Sequence, residues 1–190
     1  MKQNQLIKQA FENVNRADFV AARYCSQVDI DAPLPIGYSQ TISQPTTVKM
    51  MLEWLDTKPG EKVLDVGSGS GWTTALLSDI VGSNGKVYAV ERVPELKKFG
   101  EQNCQKVGLQ NVKFYLAEKD ILGLPTYAPY DKILVSASAD NLPQELVEQL
   151  KIGGKIVIPI GNSIFEISKK SAKDIETIEH YGFVFVPLIK

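Results

Sequence analysis

Apolar positions near the start of the chain recur at helical spacing. Leu6, Ile7, Ala10, Phe11 and Val14 fall on one side of a 3.6-residue repeat, which predicts an amphipathic helix over residues 3–14. From Arg16 to Gln44 no period holds. Pro33, Pro35 and Gly37 crowd together and polar residues follow through Ser43, so this stretch is expected to be a long loop, of the kind that signals either function or disorder. Helical spacing returns at Pro45, runs through Met50, Met51, Leu52 and Leu55, and ends before Pro59 and Gly60.

From Glu61 the rhythm changes. Short runs rich in Val, Ile and Leu alternate with helical stretches: Val63–Val66 then Trp72–Val81, Val87–Val90 then Pro94–Val107, Val112–Ala117, Ile133–Ala137 then Pro143–Leu150, and Ile156–Ile160. Strands that are apolar on both faces and separated by helices indicate a mainly parallel, doubly wound α/β sheet. Two further strand candidates, Ile164–Ser168 and Phe183–Leu188, have only a polar segment between them and are expected to close the sheet as an antiparallel pair. The organisation expected is therefore a Rossmann-like unit over residues 61–190, with residues 1–60 as an N-terminal layer packed on it.

Composition narrows the functions open to such a fold. The 190 residues are 44% apolar and 23% charged, ordinary values for a globular domain. A formal net charge of −1 and the lack of basic clusters argue against nucleic-acid partners. No apolar run is long enough to cross a bilayer, and residues 1–16 lack the pattern of a secretory signal. Cys25 and Cys104 stand far apart, which suits a reducing cytoplasm, and both read as small buried hydrophobes. The single histidine, His180, reads as a surface residue near a turn and removes schemes built on histidine bases or ligands. Trp54, Met50 and Met51 sit at core spacing, and Trp72 reads first as packing. No metal site and no oligomer are expected.

The most informative stretch is Val63-Leu64-Asp65-Val66-Gly67-Ser68-Gly69-Ser70-Gly71, which follows a predicted strand and opens a helix. Its G-x-G-x-G spacing differs from the G-x-G-x-x-G of dinucleotide sites, and no Gly-Lys-Ser/Thr marks a phosphate loop. Asp65 would repel a pyrophosphate and suits a cationic ligand. S-adenosylmethionine, with a sulfonium, an ammonium and no phosphate, matches that chemistry. Glu91 ends the next strand about twenty residues on, where an acid accepts hydrogen bonds from both ribose hydroxyls. The expected cofactor contacts are Asp65, Gly67, Ser68, Gly69, Ser70, Gly71 and Glu91.

Beyond this loop the chain resembles the protein-L-isoaspartate O-methyltransferases over nearly its whole length. The resemblance is carried by the glycine loop, by Arg16-Ala17-Asp18-Phe19-Val20, and by Ile36-Gly37-Tyr38-Ser39-Gln40-Thr41-Ile42-Ser43-Gln44-Pro45, a highly specific segment. Gln149-Leu150-Lys151-Ile152-Gly153-Gly154-Lys155 and Phe185-Val186-Pro187-Leu188 are similar to late landmarks of the family. The resemblance implies methylation of the free α-carboxylate of L-isoaspartyl residues in damaged proteins. The ester then closes to a succinimide whose hydrolysis restores part of the material to aspartate. It also implies Ser43 and Thr41 as catalytic hydroxyls, Ile42, Ser39 and Gln40 as substrate contacts, and residues 31–44 as a lid.

Two segments depart from the family pattern. Pro45-Thr46 stands where the family has Pro-His, and Glu118-Lys119-Asp120 stands where it has Gly-Asp-Gly. The adenine-facing acid then falls to Asp120, with Glu118 or no acid at all as alternatives. From spacing alone Ser43 reads equally as a helix N-cap. The competing functions are a methyltransferase for another carboxylate and a cofactor-binding module without turnover.

Overall fold

A computed structural model describes residues 3–189. Its centre is a seven-stranded sheet in the order β5-β4-β3-β6-β7-β8-β9. The parallel strands are β3 (Lys62–Val66), β4 (Lys86–Glu91), β5 (Val112–Leu116), β6 (Tyr130–Val135) and β7 (Leu150–Ile160). The antiparallel end is β8 (Ser163–Lys169) and β9 (Ile175–Tyr181). Strand β3 pairs with β4 on one side and β6 on the other, so the chain reverses direction across the sheet there. A crevice opens at the carboxyl ends of strands flanking such a switch point.

Two cores sandwich the sheet. On one face Val63, Val87, Ala89, Leu134 and Val157 pack against α1 (Gln3–Asn13), α2 (Pro45–Leu55) and α3 (Trp72–Val81), with Cys104 joining from α4 (Pro94–Lys106). On the other, Leu64, Val66, Ile133, Val135 and Ile156 pack against α5 (Gln144–Glu148) and against Leu122 and Leu124 of the β5–β6 connection. The N-terminal layer shares the first of these cores through Ile7, Ala10, Phe19, Met51 and Leu55. Among the described residues no helix is long and apolar enough to cross a membrane.

The segment from Arg16 to Gln44 is more ordered than its lack of period suggests. It holds 3₁₀ turns at Arg16–Phe19 and Ala22–Gln27 and a hairpin of β1 (Leu34–Gly37) with β2 (Gln40–Ile42). Helix α5 is short because Leu150 already belongs to β7, which begins six residues before the apolar run at Ile156.

The expectation for the sheet's end needs correction. The antiparallel partner of β8 is the polar Ile175–Tyr181, not the apolar run Phe183–Leu188. An edge strand bonded only to β8 needs no apolar face, so its sequence carries no alternation signal. The apolar run instead crosses the carboxyl end of β6, where Ser138 N donates to Val186 O (2.8 Å) and Leu188 N to Ser138 O (2.7 Å). Three single residues also differ from expectation. Cys25 is exposed while Cys104 is buried. His180 is half-buried on β9, stacked on Trp54 at 3.9 Å between ring centres and bonded to Glu166 at 2.9 Å. Met50 is exposed, whereas Met51 is core.

Candidate active site

The turn after β3 is built on a backbone that favours glycine at three points. Gly67, Gly69 and Gly71 all have positive φ (78°, 51° and 85°), a region disfavoured for side chains. Gly71 is also pressed by α4, since a Cβ there would lie 2.9 Å from Gly100 O and 3.1 Å from Cys104 Sγ. The turn is fastened to its neighbours by the amides of Gly67 and Ser68, which donate to Val90 O, and by Asn103 Nδ2, which donates to Ser70 O at 3.0 Å.

Glu91 ends β4 beside this turn. Its Oε2 accepts from the Gly69 amide at 2.8 Å and its Oε1 from the Val93 amide at 2.9 Å. A carboxylate has about four lone-pair positions, so each oxygen keeps capacity toward the cavity it lines.

Asp65 is among the expected cofactor contacts. It is fully buried beneath the turn and is absent from the cavity wall. Thr74 Oγ1 donates to its Oδ2 at 2.6 Å, and its Oδ1 has no partner. Burial pushes its pKa up to about 7, the Thr74 bond opposes that rise, and the nearby Glu91 charge adds to it. Gly71 also stays off the wall, because its close neighbours are Gly100 and Cys104 of α4.

The cavity measures about 450 Å³, within the range of small-molecule sites. Gly67, Ser68, Gly69 and Ser70 form its floor, and Val90, Glu91, Arg92 and Val93 one side. Glu118, Lys119, Ile121 and Leu122 also line it, as do Gln40, Thr41, Ile42 and Ser43. Asp120 is not among the lining residues: it is exposed, on a left-handed backbone (φ 62°), and its neighbours Glu118 and Lys119 reach the wall instead. Ser39 is likewise outside, because with Tyr38 it forms the left-handed turn at the hairpin tip (φ 57° and 54°).

The residues present fit adenosylmethionine. The Ser68 hydroxyl is buried in the floor without a partner, and the large majority of buried polar atoms have one. Glu91 offers acceptors suited to ribose hydroxyls, and the glycine backbone lets a ligand approach closely. Among the described residues no cluster of His, Cys, Asp or Glu could hold a metal ion.

Ser43 and Thr41 line both this cavity and an adjoining groove of about 270 Å³, walled by Pro33, Gln44, Thr47, Ser136, Phe185 and Val186. Ser43 is not the N-cap of α2. Gln44 holds that position without a side-chain bond, and Asp31 caps the helix from fifteen residues away. Its Oδ1 accepts from the Thr46 amide (2.9 Å) and its Oδ2 from Thr46 Oγ1 (2.7 Å) and Gln44 Nε2 (3.0 Å). Those bonds, the Thr46 amide first, hold the Asp31 carboxyl below its usual range. Thr46 thus gives Asp31 a hydroxyl partner as well as an amide, and the Ser43 hydroxyl takes no part in the cap.

Sequence reasoning assigns no site role to Asp31, to Val186–Ile189 or to the buried Arg16 behind Ser43. Arg16 and Val186–Leu188 do fall in segments that carry the family resemblance, whereas Asp31 has no local signal.

The whole chain, residues 1–190, matches the family described as Protein-L-isoaspartate(D-aspartate) O-methyltransferase (PCMT). A Protein-L-isoaspartate O-methyltransferase of Pyrococcus horikoshii is 44% identical over 98% of this chain and 86% of the relative. One from Pyrococcus abyssi is 45% identical over 96% and 86%. A solved protein-L-isoaspartate O-methyltransferase structure, 28% identical, superposes with a TM-score of 0.89 over 97% of this chain and 61% of that longer one. A solved Plasmodium falciparum chain assigned to the same activity, in complex with S-adenosyl-L-homocysteine, is 28% identical with a TM-score of 0.81 over 97% and 90%.

Proposed function

This chain belongs to the protein-L-isoaspartate(D-aspartate) O-methyltransferase family, and from that membership we infer how its residues carry a methyl group from S-adenosylmethionine to the free α-carboxylate of an L-isoaspartyl residue. The single observation that supports the residue roles is that one cavity joins Gly67–Ser70 and Glu91 to the hydroxyl-bearing Thr41 and Ser43.

The cofactor supplies an electrophilic methyl carbon on a sulfonium. Glu91 accepts the ribose hydroxyls while its bonds to Gly69 and Val93 keep the carboxylate aimed. Ser68 gains the partner it lacks. The acceptor carboxylate ionises near pH 4 and needs no base, so the protein's task is alignment and exclusion of water. Ser43 and Thr41 donate hydrogen bonds to that carboxylate, which fixes its direction without quenching its charge. The uncharged groove beside them takes the peptide flanking the isoaspartyl residue. Val186–Ile189 complete the lining and shield it from water.

We place this activity in the cytoplasm, in keeping with two unpaired cysteines, with a monomer acting on isoaspartyl peptides and proteins. Residues 1–60 bring Thr41 and Ser43 to the acceptor groove, which Ser136, Phe185 and Val186 of residues 61–190 complete, and residues 61–190 carry the glycine turn and Glu91.

The test is methyl ester formation on an isoaspartyl peptide and on its aspartyl twin. Turnover on the isoaspartyl peptide alone is expected. Equal turnover on both would defeat the repair reading, and cofactor binding without transfer to either would indicate an inert module.

A further inference from the structure

Arg16 is the most enclosed cation beside the site and has no role in the chemistry above. It opens the 3₁₀ turn Arg16–Phe19 and is only 6% exposed. Its Nη1 donates to Val28 O (2.9 Å) and Ile30 O (3.2 Å), and its Nη2 to Ala32 O (2.8 Å) and Ser43 O (3.0 Å). Its guanidinium lies over the Trp72 ring at 5.2 Å. Burial lowers its pKa, while the Asp31 charge, acting at a distance, raises it.

Carbonyl oxygens do not neutralise a buried cation, and its Nε is buried without a partner. Closing a loop does not require such an expensive group. What a rigid planar fork adds is geometry, because one nitrogen bonded to both Ala32 O and Ser43 O fixes the two strands of backbone against each other. The Ser43 carbonyl belongs to the residue whose side chain faces both the cavity and the groove. The guanidinium also lies over the ring of Trp72, which begins α3 directly after the glycine turn and lines the cavity.

We propose that Arg16 is a positioning residue for methyl transfer: its guanidinium sets Ser43 relative to Trp72 and thereby couples the acceptor side of the cavity to the cofactor side. The inference rests on the function proposed above for Ser43. A ligand that orders Trp72 also orders the fork, and the fork in turn holds the Ser43 peptide where its hydroxyl meets the acceptor. A misplacement of about 1 Å at such a point costs up to roughly a hundredfold in rate.

Arg16→Lys keeps the charge but loses the planar fork. For this variant kcat on an isoaspartyl peptide should fall by about 10- to 100-fold while the dissociation constant for S-adenosylhomocysteine stays within about threefold. Hydrogen exchange should rise in residues 28–32 and 40–44 and stay unchanged in β3 and β4. In the unmutated protein S-adenosylhomocysteine should protect residues 40–44, and in the variant it should not. If the lysine variant folds poorly, Arg16→Gly assayed with added methylguanidinium replaces it, and recovery of at least about tenfold of the lost rate is expected. Unchanged kcat, or exchange rising across the whole chain with cofactor affinity lost in proportion and no rescue, would reduce Arg16 to a brace of the fold. The exchange arm reads the coupling even if the unmutated protein methylates no isoaspartyl peptide, so failure of the function and failure of the coupling are told apart.

Discussion

Glu91 and Gly69 lie twenty-two residues apart in the chain and 2.8 Å apart in space, joined by a bond from the Gly69 amide to the Glu91 carboxylate. The acid proposed to receive the ribose therefore also holds the turn that lines the cavity. Glu91→Ala removes both functions. Hydrogen bonds to a charged group are worth about 1.5–3 kcal/mol, so S-adenosylhomocysteine affinity measured by calorimetry should fall by roughly 10- to 150-fold. An unchanged dissociation constant would take Glu91 out of the site.

Asp65 makes stability depend on pH. Unfolded, its carboxyl ionises near pH 3.9, whereas in the fold burial raises it to about 7. Between those values the folded state holds the extra proton, so raising the pH drains stability; below them both states are protonated and the cost vanishes. Asparagine at this position can still accept the Thr74 bond and carries no charge to bury. Asp65→Asn should therefore melt near the parent's temperature at pH 4 and progressively above it toward pH 8, with a gap of at most roughly 4 kcal/mol. A gap that stays constant across this range would show that Asp65 does not titrate there.

Ser43 makes none of the bonds that cap α2, so its removal should spare the fold. Ser43→Ala should reduce kcat on an isoaspartyl peptide by about 10- to 100-fold, the value of one lost bond to a charged acceptor, with cofactor affinity and melting temperature unchanged. Full activity in this variant would move the acceptor contact to Thr41.

What was legible in the sequence follows from how local each signal is. Strands β3, β4 and β6 are buried on both faces and read as apolar runs. The turn at Gly67–Ser70 and its acid, Glu91, are a local pattern at a fixed interval. Strand β9 is invisible to such reading because its ladder with β8 is backbone bonding, and its outward side chains pack on little. Asp31 and Arg16 escape for a different reason, since their partners lie between 12 and 27 residues away and are chosen by how the loop folds back. The position of Asp120 is equally non-local: it is left-handed and off the wall that Glu118 and Lys119 line.

Gly100 gives the last prediction. It sits in α4, where glycine ordinarily costs a helix about 1 kcal/mol relative to alanine. Here the missing side chain is required, because a Cβ would lie 2.8 Å from Gly69 O, 3.0 Å from Phe114 Cε1 and 3.2 Å from Gly71 N. Two of those atoms are backbone of the glycine turn, which cannot yield without moving the cavity floor. Overpacking costs typically about 1–3 kcal/mol, so Gly100→Ala should be destabilising on balance despite the better helix propensity. The melting temperature should drop by roughly 2–8 °C, and S-adenosylhomocysteine should bind less tightly because the turn is displaced. Lys98→Ala, an exposed site on the same helix, should change neither quantity. If Gly100→Ala binds and melts like the parent, α4 does not shape the cofactor turn and the close contact of helix and loop carries no functional weight.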